Sequence, residues 1–509
     1  MRLFVNINPD QKETLQRQIV EQVIALIGRG VLPPGIEVPS SRSLSEQLCV
    51  SRNTVKEAYE ELVDQGYLYT QRAVGTFVSN ELPETFIACQ FPESSRRNHA
   101  SPAAPLPYAE GETGRNSNAP RCLTDFGVGR GDRRVFPEKL WRRLANECMG
   151  SVAAAMSDYA NPCGSSHLRS LIADNLRLSR GMAVTPEQVF IVSGCQQGIS
   201  LAAHLLIQAG SPVAVEAPCY RGAAELFESR GAKVVPAPVD GHGIQTSRLP
   251  RTATKLVYVT PSHQSPTGVT LSVERRNELL AWAAKVGSFV LEVEYDSDFR
   301  YDGPPPAPLF ALDGGEIVIH AGSFANSVGP GLRLGYLVLP RSLTSAARKI
   351  KSLMDNGSSW LEQATLAAFI EGGHFAQHVR RLRQVALARR DALLGALHES
   401  FGAAEIFGRE SGTHVMWKAP RRLPEAKEIS AIGRRARVRV HSLAESDASY
   451  CDCLPGADRA VVFGFASMTE QEIEGGIEKL AAAIRNEARP AGSRPQFYGA
   501  HFRPHAVHQ

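Results

Sequence analysis

VPSSRSLSEQLCVSRNTVKEAYEELVDQGYLYTQRAVGT, residues 38–76, carries two helical patterns separated by a three-residue turn. Pro39-Ser40-Ser41 opens the first, which runs to Leu48, and Ser43 with Glu46 has the spacing of a capping box. Cys49-Val50-Ser51 is the turn, and Ser51 is the expected N-cap of a helix over 52–64. Upstream, Leu15, Ile19, Val23, Ile24 and Ile27 recur at helical spacing. Gly28 and Gly30 close that helix, and Pro33-Pro34-Gly35 turns the chain. Downstream, Tyr67-Leu68-Tyr69 and Thr76-Phe77-Val78 predict the two strands of a wing. The arrangement is a winged helix-turn-helix, a shape that sends its last helix N-terminus first into the DNA major groove. Arg52, Asn53, Thr54 and Lys56 then face DNA, with Arg42 at the phosphates and Arg72 in the wing. Glu57, Glu60, Glu61 and Asp64 fall toward the far end of the helix. The bland alternative is a small helical domain with a solvated basic edge.

Net charge does not decide between them. The whole chain carries +4, and residues 1–80 hold eight Lys/Arg against nine Asp/Glu. Any electrostatic attraction must come from placement. At 509 residues, two or three domains are expected. Hydrophobic content of 43% and charged content of 21% are ordinary for a globular protein. No run of 18 uncharged apolar residues predicts a membrane span. The start, MRLFVNINPDQKE, lacks the apolar core of a signal peptide. The nine cysteines are scattered, and only Cys451 and Cys453 lie close, which makes neither a zinc pattern nor a disulfide framework. A reducing cytoplasm is the expected location.

Residues 1–80 therefore form the head. Residues 81–122, rich in Pro, Ser, Asn and Ala, read as a flexible linker in which Arg96, Arg97, Arg115 and Arg121 are solvated or touch phosphate. Residues 123–486 alternate strand-like runs (VFIVS, VAVE, KVVPAPV, KLVYVT, SFVLEVEY, EIVIHAGS, LGYLVLP) with helical ones. That alternation predicts an α/β domain with a mostly parallel sheet, its functional loops at the carboxyl ends of the strands. Residues 410–486 read as a smaller subdomain with strands at THVMWK and AVVFGFAS and a helix over 469–485. Residues 487–509 read as a disordered basic tail. Ser193-Gly194-Cys195-Gln196, between a strand and a helix, has the makings of an anion cup of free backbone N–H groups. His263 and Asp296 are read as local hydrogen-bonding groups, with no metal site, since no second ligand lies at useful spacing.

Further segments recur in order: Tyr159–Gly164, Glu216–Gly222, Thr260–Gly268, LEVEYDSDFRY at 291–301 and GSFANSVGPGLRLGY at 322–336. With them the chain resembles, over nearly its whole length, the MocR/GabR-type regulators of the GntR family. These join a winged helix-turn-helix to an aminotransferase-like body of pyridoxal-phosphate fold type I. The head is similar to the pattern P-S-x-R-x-L-A-x-x-L-x-V-S-R-x-T-V, with Ser45 at its alanine, and departs in the wing, where Ala73 replaces the first glycine of G-x-G-T.

The resemblance implies pyridoxal 5′-phosphate in the body, a DNA operator, a homodimer and a small-molecule effector. It places the phosphate at Ser193, Gly194, Cys195, Gln196, Ser323 and Arg333. It sets Tyr220 against the ring and Tyr295 at the phenolate oxygen, with Ser265 beside the pocket. Two positions depart from the family. Where it writes S-F-S-K, this chain has Ser323-Phe324-Ala325-Asn326. Where it places the ring aspartate, this chain has Val293. An amide nitrogen is not a nucleophile, and valine cannot hold a pyridinium. Glu294 falls on the opposite face of the strand. Lys255 has no evident route to the ring. Val462 stands where a substrate-carboxylate arginine is expected, with Arg459 a weak substitute.

The sequence thus points to a regulator rather than an enzyme. Its body would hold vitamin B6 phosphate non-covalently, sense another small molecule, or serve as a dimerising scaffold. The rival is a pyridoxal-phosphate aminotransferase carrying a vestigial head.

Overall fold

The computed structural model describes residues 13–72, 74–81, 124–151 and 159–487, together with 3, 5–8, 83 and 157. The linker and tail expectations, and Ala73, fall outside the described residues. The chain divides into two compact units, Met1–Glu112 and Thr113–Gln509.

In the first unit, α1 (Leu15–Gly28), α2 (Ser41–Leu48) and α3 (Arg52–Asp64) bury one apolar face each. Ile19, Val23, Leu44, Val55, Ala58 and Leu62 are fully covered, and each large aliphatic side chain contributes ~1.5–3 kcal/mol relative to exposure. Ser51 caps α3 as expected, its hydroxyl accepting from the Thr54 N–H at 3.1 Å. The capping box expected at Ser43 does not form. Pro39 sets an extended entry and Ser40 takes the cap, accepting from the Ser43 N–H at 3.2 Å. Ser43 is therefore inside the first turn, and Glu46 pairs with Arg42 at 3.1 Å instead. The wing is β2 (Leu68–Gln71) against β3 (Gly75–Val78), antiparallel, with Gln71 opposite Gly75. A third strand, β1 (Glu37–Val38), adds to β3. Two residues carry no periodicity, so the sequence could not show it.

The second unit is built on an eight-stranded sheet. Its strands are β4 (Val189–Val192), β5 (Pro212–Ala217), β6 (Lys233–Asp240), β7 (Gly243–Ile244), β8 (Leu256–Val259), β9 (Phe289–Glu294), β10 (Val318–Ser323) and β11 (Gly335–Val338). The order is β4-β11-β10-β9-β8-β5-β6-β7, and only β11 and β7 run against the rest. All seven predicted runs are strands of this sheet. Both faces are covered, so the strands read as continuous apolar runs rather than alternating ones. A second sheet joins β12 (Glu405–Phe407), β13 (His414–Lys418), β14 (His441–Ser442) and β15 (Ala460–Gly464) in the order β12-β13-β15-β14. A helix over Glu470–Glu487 and the 28-residue helix His374–Phe401 pack together beside it. No helix among the described residues is long and apolar enough to cross a membrane.

Candidate functional site

The loops that follow β4, β8, β9 and β10 converge at the carboxyl edge of the large sheet. After β4 the chain turns at Gly194, whose φ of +83° is a conformation that glycine tolerates and L-residues resist. The helix Cys195–Leu206, here α4, starts there. The Cys195 and Gln196 amides have no intrahelical acceptor, whereas the Gln197 N–H reaches the Gly194 carbonyl at 3.2 Å, so the cup is a feature of the backbone. A Cβ on Gly194 would meet the Arg333 guanidinium at 3.0–3.2 Å, so glycine also lets that cation come close. Arg333 donates to the Ser193 carbonyl at 2.9 Å. The Ser193 N–H is held by the Gln197 side chain at 2.7 Å, which the sequence reading missed. Burial pushes the Cys195 thiol up to about 11, against the opposing effects of Ser323 and Arg333 beside it. Gln196 donates to the Gly222 carbonyl at 2.9 Å, leaving its own buried carbonyl oxygen without a partner among the described residues. Ser193, Gly194, Cys195, Gln196, Ser323 and Arg333 lie together at this edge of the sheet.

Val293 and Glu294 alternate across β9. Val293 packs with Tyr258, Leu291 and Ala321, in the cluster that Tyr220 and Cys195 also join. Glu294 lies on the other face, accepting from the Ser262 hydroxyl at 2.6 Å. The Tyr295 hydroxyl donates to the His263 carbonyl at 2.8 Å, and burial pushes its pKa well above the phenol range. The Asn326 amide is not idle: it donates to the Asp296 carboxylate and, at 3.3 Å, to the Tyr295 carbonyl. Ser265 lies in the loop after β8, its N–H bonded to the Thr260 hydroxyl at 3.0 Å. Lys255 is exposed at the start of β8, the opposite end of the strand from these groups. Arg459 donates to the carbonyls of Ala419 and Leu423 and is occupied there. Val462 is buried in β15.

These residues fit one end of pyridoxal phosphate and not the other. The α4 amides, Gly194 and Arg333 suit a phosphate. The face at Val293 and the engaged amide of Asn326 offer neither a pyridinium partner nor an amine.

On the head, Arg42, Arg52, Asn53, Lys56 and Arg72 are exposed. Thr54 is half-buried, its hydroxyl 2.8 Å from that of Ser51. Arg42 pairs with Glu46 and Lys56 with Glu60 at 3.5 Å. Such exposed pairs are worth ~0–1 kcal/mol and leave both cations available.

Residues 137–480 match the aminotransferase class I and II family, and residues 15–78 match the gntR family of bacterial regulatory proteins. Over 94% of its length the chain is 31% identical to the uncharacterized HTH-type transcriptional regulator YdeL of Bacillus subtilis strain 168, covering 99% of that protein. It is 30% identical to the probable rhizopine catabolism regulatory protein MocR of Rhizobium meliloti, over 93% of this chain and 94% of that one. The chain belongs to this family of HTH-type transcriptional regulators. Among solved structures, the regulator's fold is similar to kynurenine aminotransferase of Pyrococcus horikoshii, with a TM-score of 0.66 at 24% identity, over 73% of this chain and 92% of that one. That likeness is one of fold. The regulator reading stands above the enzyme reading, because the relatives named as regulators match head and body together.

Beside the pocket, Glu216 at the end of β5 is 1% exposed and accepts from the Thr260 N–H, the Thr260 hydroxyl and Gln264. Burial outweighs those bonds and raises its pKa from 4.5 to about 7. A raised carboxyl stabilises the fold below its unfolded pKa, and that contribution is lost as pH rises through the folded value. The regulator is therefore expected to lose on the order of 3 kcal/mol of body stability between pH 4.5 and pH 7 from this group. Denaturant melts at both pH values check it. Glu216→Gln should flatten the difference, and an unchanged difference in that variant would remove Glu216 as the cause.

The structure also places His414, at the start of β13, against His263 and Asp296. The sequence reading saw THVMWK only as a strand, because ligand spacing within one segment cannot reveal a partner supplied by another sheet.

Proposed function

We propose that the protein is a cytoplasmic, homodimeric transcriptional regulator whose head reads an operator and whose body binds a phosphate-bearing small molecule without forming a covalent bond to it. The observation that carries the second half is the Asn326 amide, engaged by Asp296 at the position where the family resemblance puts a Schiff-base lysine. An amide in that place orients a neighbour and donates a hydrogen bond, and it forms no imine. The body's own residues then bind and orient. The α4 amides and Arg333 hold the phosphate, Tyr220 and Val293 provide an apolar wall, and Tyr295 and Ser265 border the polar edge. When pyridoxal phosphate sits in such a cup, it supplies an aldehyde and an aromatic ring for recognition. The relatives MocR and YdeL, named as regulators, support this assignment of role.

On the head, α3 presents Arg52, Asn53 and Lys56 at its amino end, with Thr54 beside them, for base edges. Arg42 and Arg72 are assigned to phosphates. Full-length protein incubated with a pool of random DNA duplexes is expected to enrich a motif of two half-sites, spaced as a dimer requires. Recovery of duplexes with no shared motif, bound no more tightly than scrambled DNA, overturns the operator half of the proposal.

A further inference from the structure

The body buries three metal-ligating side chains in one place. His263 comes from the loop after β8, Asp296 follows β9, and His414 opens β13 of the second sheet. Each offers a ligand atom within 4.8 Å of the other two, and none is more than 2% exposed. Hydrogen bonds fix both imidazoles. The Ser411 hydroxyl lies 3.2 Å from both the Ser262 carbonyl and His263 Nδ1, and with its proton on the carbonyl it accepts from His263 Nδ1. The Pro266 carbonyl can only accept, so His414 Nε2 donates to it at 3.1 Å. In the neutral tautomers this leaves bare lone pairs on His263 Nε2 and His414 Nδ1, and both are buried without a partner among the described residues. Asp296 is held in turn by the Thr413 N–H at 3.0 Å, the Thr413 hydroxyl and Asn326. Local hydrogen bonding therefore accounts for one nitrogen of each ring and orients the carboxylate, but it gives the two lone pairs nothing to bind.

We propose that His263, Asp296 and His414 form a binding site for a divalent cation of the zinc class, with the fourth position open to water or an incoming ligand. Two imidazole nitrogens and one carboxylate suit zinc and its late first-row neighbours, whereas magnesium and calcium prefer all-oxygen sets. The outer partners are of the kind that fix metal-binding histidines, a backbone carbonyl on one ring and a hydroxyl on the other. Bonds of ~2.0 Å in a tetrahedron set donors roughly 3.3 Å apart. His414 Nδ1 lies 4.0 Å from Asp296 Oδ2, so the site needs to contract by less than an ångström or so along that edge. Three glycines surround the His263 ring. A Cβ on Gly412 would come within 2.3 Å of Nε2, and one on Gly268 or Gly408 within 3.0 Å of Cε1. The cation would tie the second sheet to the loops of the first, one hydrogen bond away from Asn326.

The test uses full-length protein stripped with a chelator and titrated with cobalt(II), followed by visible absorption and calorimetry, then back-titrated with zinc. Saturable uptake of about one equivalent per chain is expected, with the intense bands of a low-coordinate cobalt site that zinc abolishes. His414→Asn and Asp296→Asn should abolish the bands. Ser411→Ala, which keeps every ligand but removes the hydroxyl that orients the His263 ring, should weaken uptake ~10–100-fold. Circular dichroism confirms that each variant is folded. The histidines His501, His505 and His508 near the chain end offer an adventitious site, so their triple replacement by Asn should leave uptake intact. No saturable uptake, uptake retained in folded His414→Asn and Asp296→Asn, or uptake lost only in the triple variant each overturns the proposal.

Discussion

Pyridoxal 5′-phosphate added to the regulator is expected to give no protonated-imine band in the visible spectrum and no turnover with any amino donor, while heat or fluorescence reports saturable binding. The reasoning starts at Asn326. An imine needs a deprotonated primary amine within bonding reach of the aldehyde, and this amide donates to Asp296 and the Tyr295 carbonyl. The other lysines near this part of the fold are badly placed. Lys255 is exposed at the far end of β8. Lys351 is fully buried and held by Asp355 at 2.7 Å. On the proposed non-covalent reading, no amine stands there to serve as the base that moves a substrate proton, a role worth ~10²–10⁴-fold by itself. On the same reading Val293 brings no charge to keep a bound ring protonated, so an electron sink is not expected either. Restoring the groups supplies the positive control. Asn326→Lys is expected to gain the imine band, and Asn326→Lys with Val293→Asp to hold it more firmly. An imine band in the unaltered protein would show that another amine reaches the ring and would sink the non-covalent reading.

Arg52→Ala is expected to cost ~1–3 kcal/mol on the enriched operator and much less on random DNA. Arg52 is the first residue of α3, and Ser51 caps the helix independently of it. The substitution therefore removes a guanidinium from the groove-facing end without unwinding the helix. Arg42→Ala behaves differently, because Arg42 is assigned to phosphate. It should weaken operator and random DNA alike and lower the salt slope by about one. Fluorescence anisotropy over a salt series separates the two effects. An equal loss on both DNAs for Arg52→Ala would mean that α3 does not read bases, and the head would have to be docked in another way.

Much of this protein was legible before its tertiary structure. The helix-turn-helix, the Ser51 cap and the seven main strands of the body follow from apolar spacing and from punctuation by Pro, Gly and Ser. These are local signals, each set by residues a few positions apart. The opposed faces of Val293 and Glu294 follow from strand alternation alone. The local reading failed where two nearby groups competed for one job, as when Ser40 took the cap expected at Ser43. It also failed for β1, too short to have a period.

The identity of residues 326 and 293, on which the proposed non-covalent binding rests, is read from the chain itself. Only the fold decides what Asn326 does instead, because the parallel strands β9 and β10 bring Asp296, thirty residues earlier in the chain, beside it. Only the fold brings His414 from the second sheet to His263 and Asp296, and so turns two unremarkable residues into a set of three. Sequence spacing records neighbours along the backbone. A buried cluster assembled from two loops and a strand is set by packing, where long-range contacts and the need to satisfy buried polar atoms choose the partners.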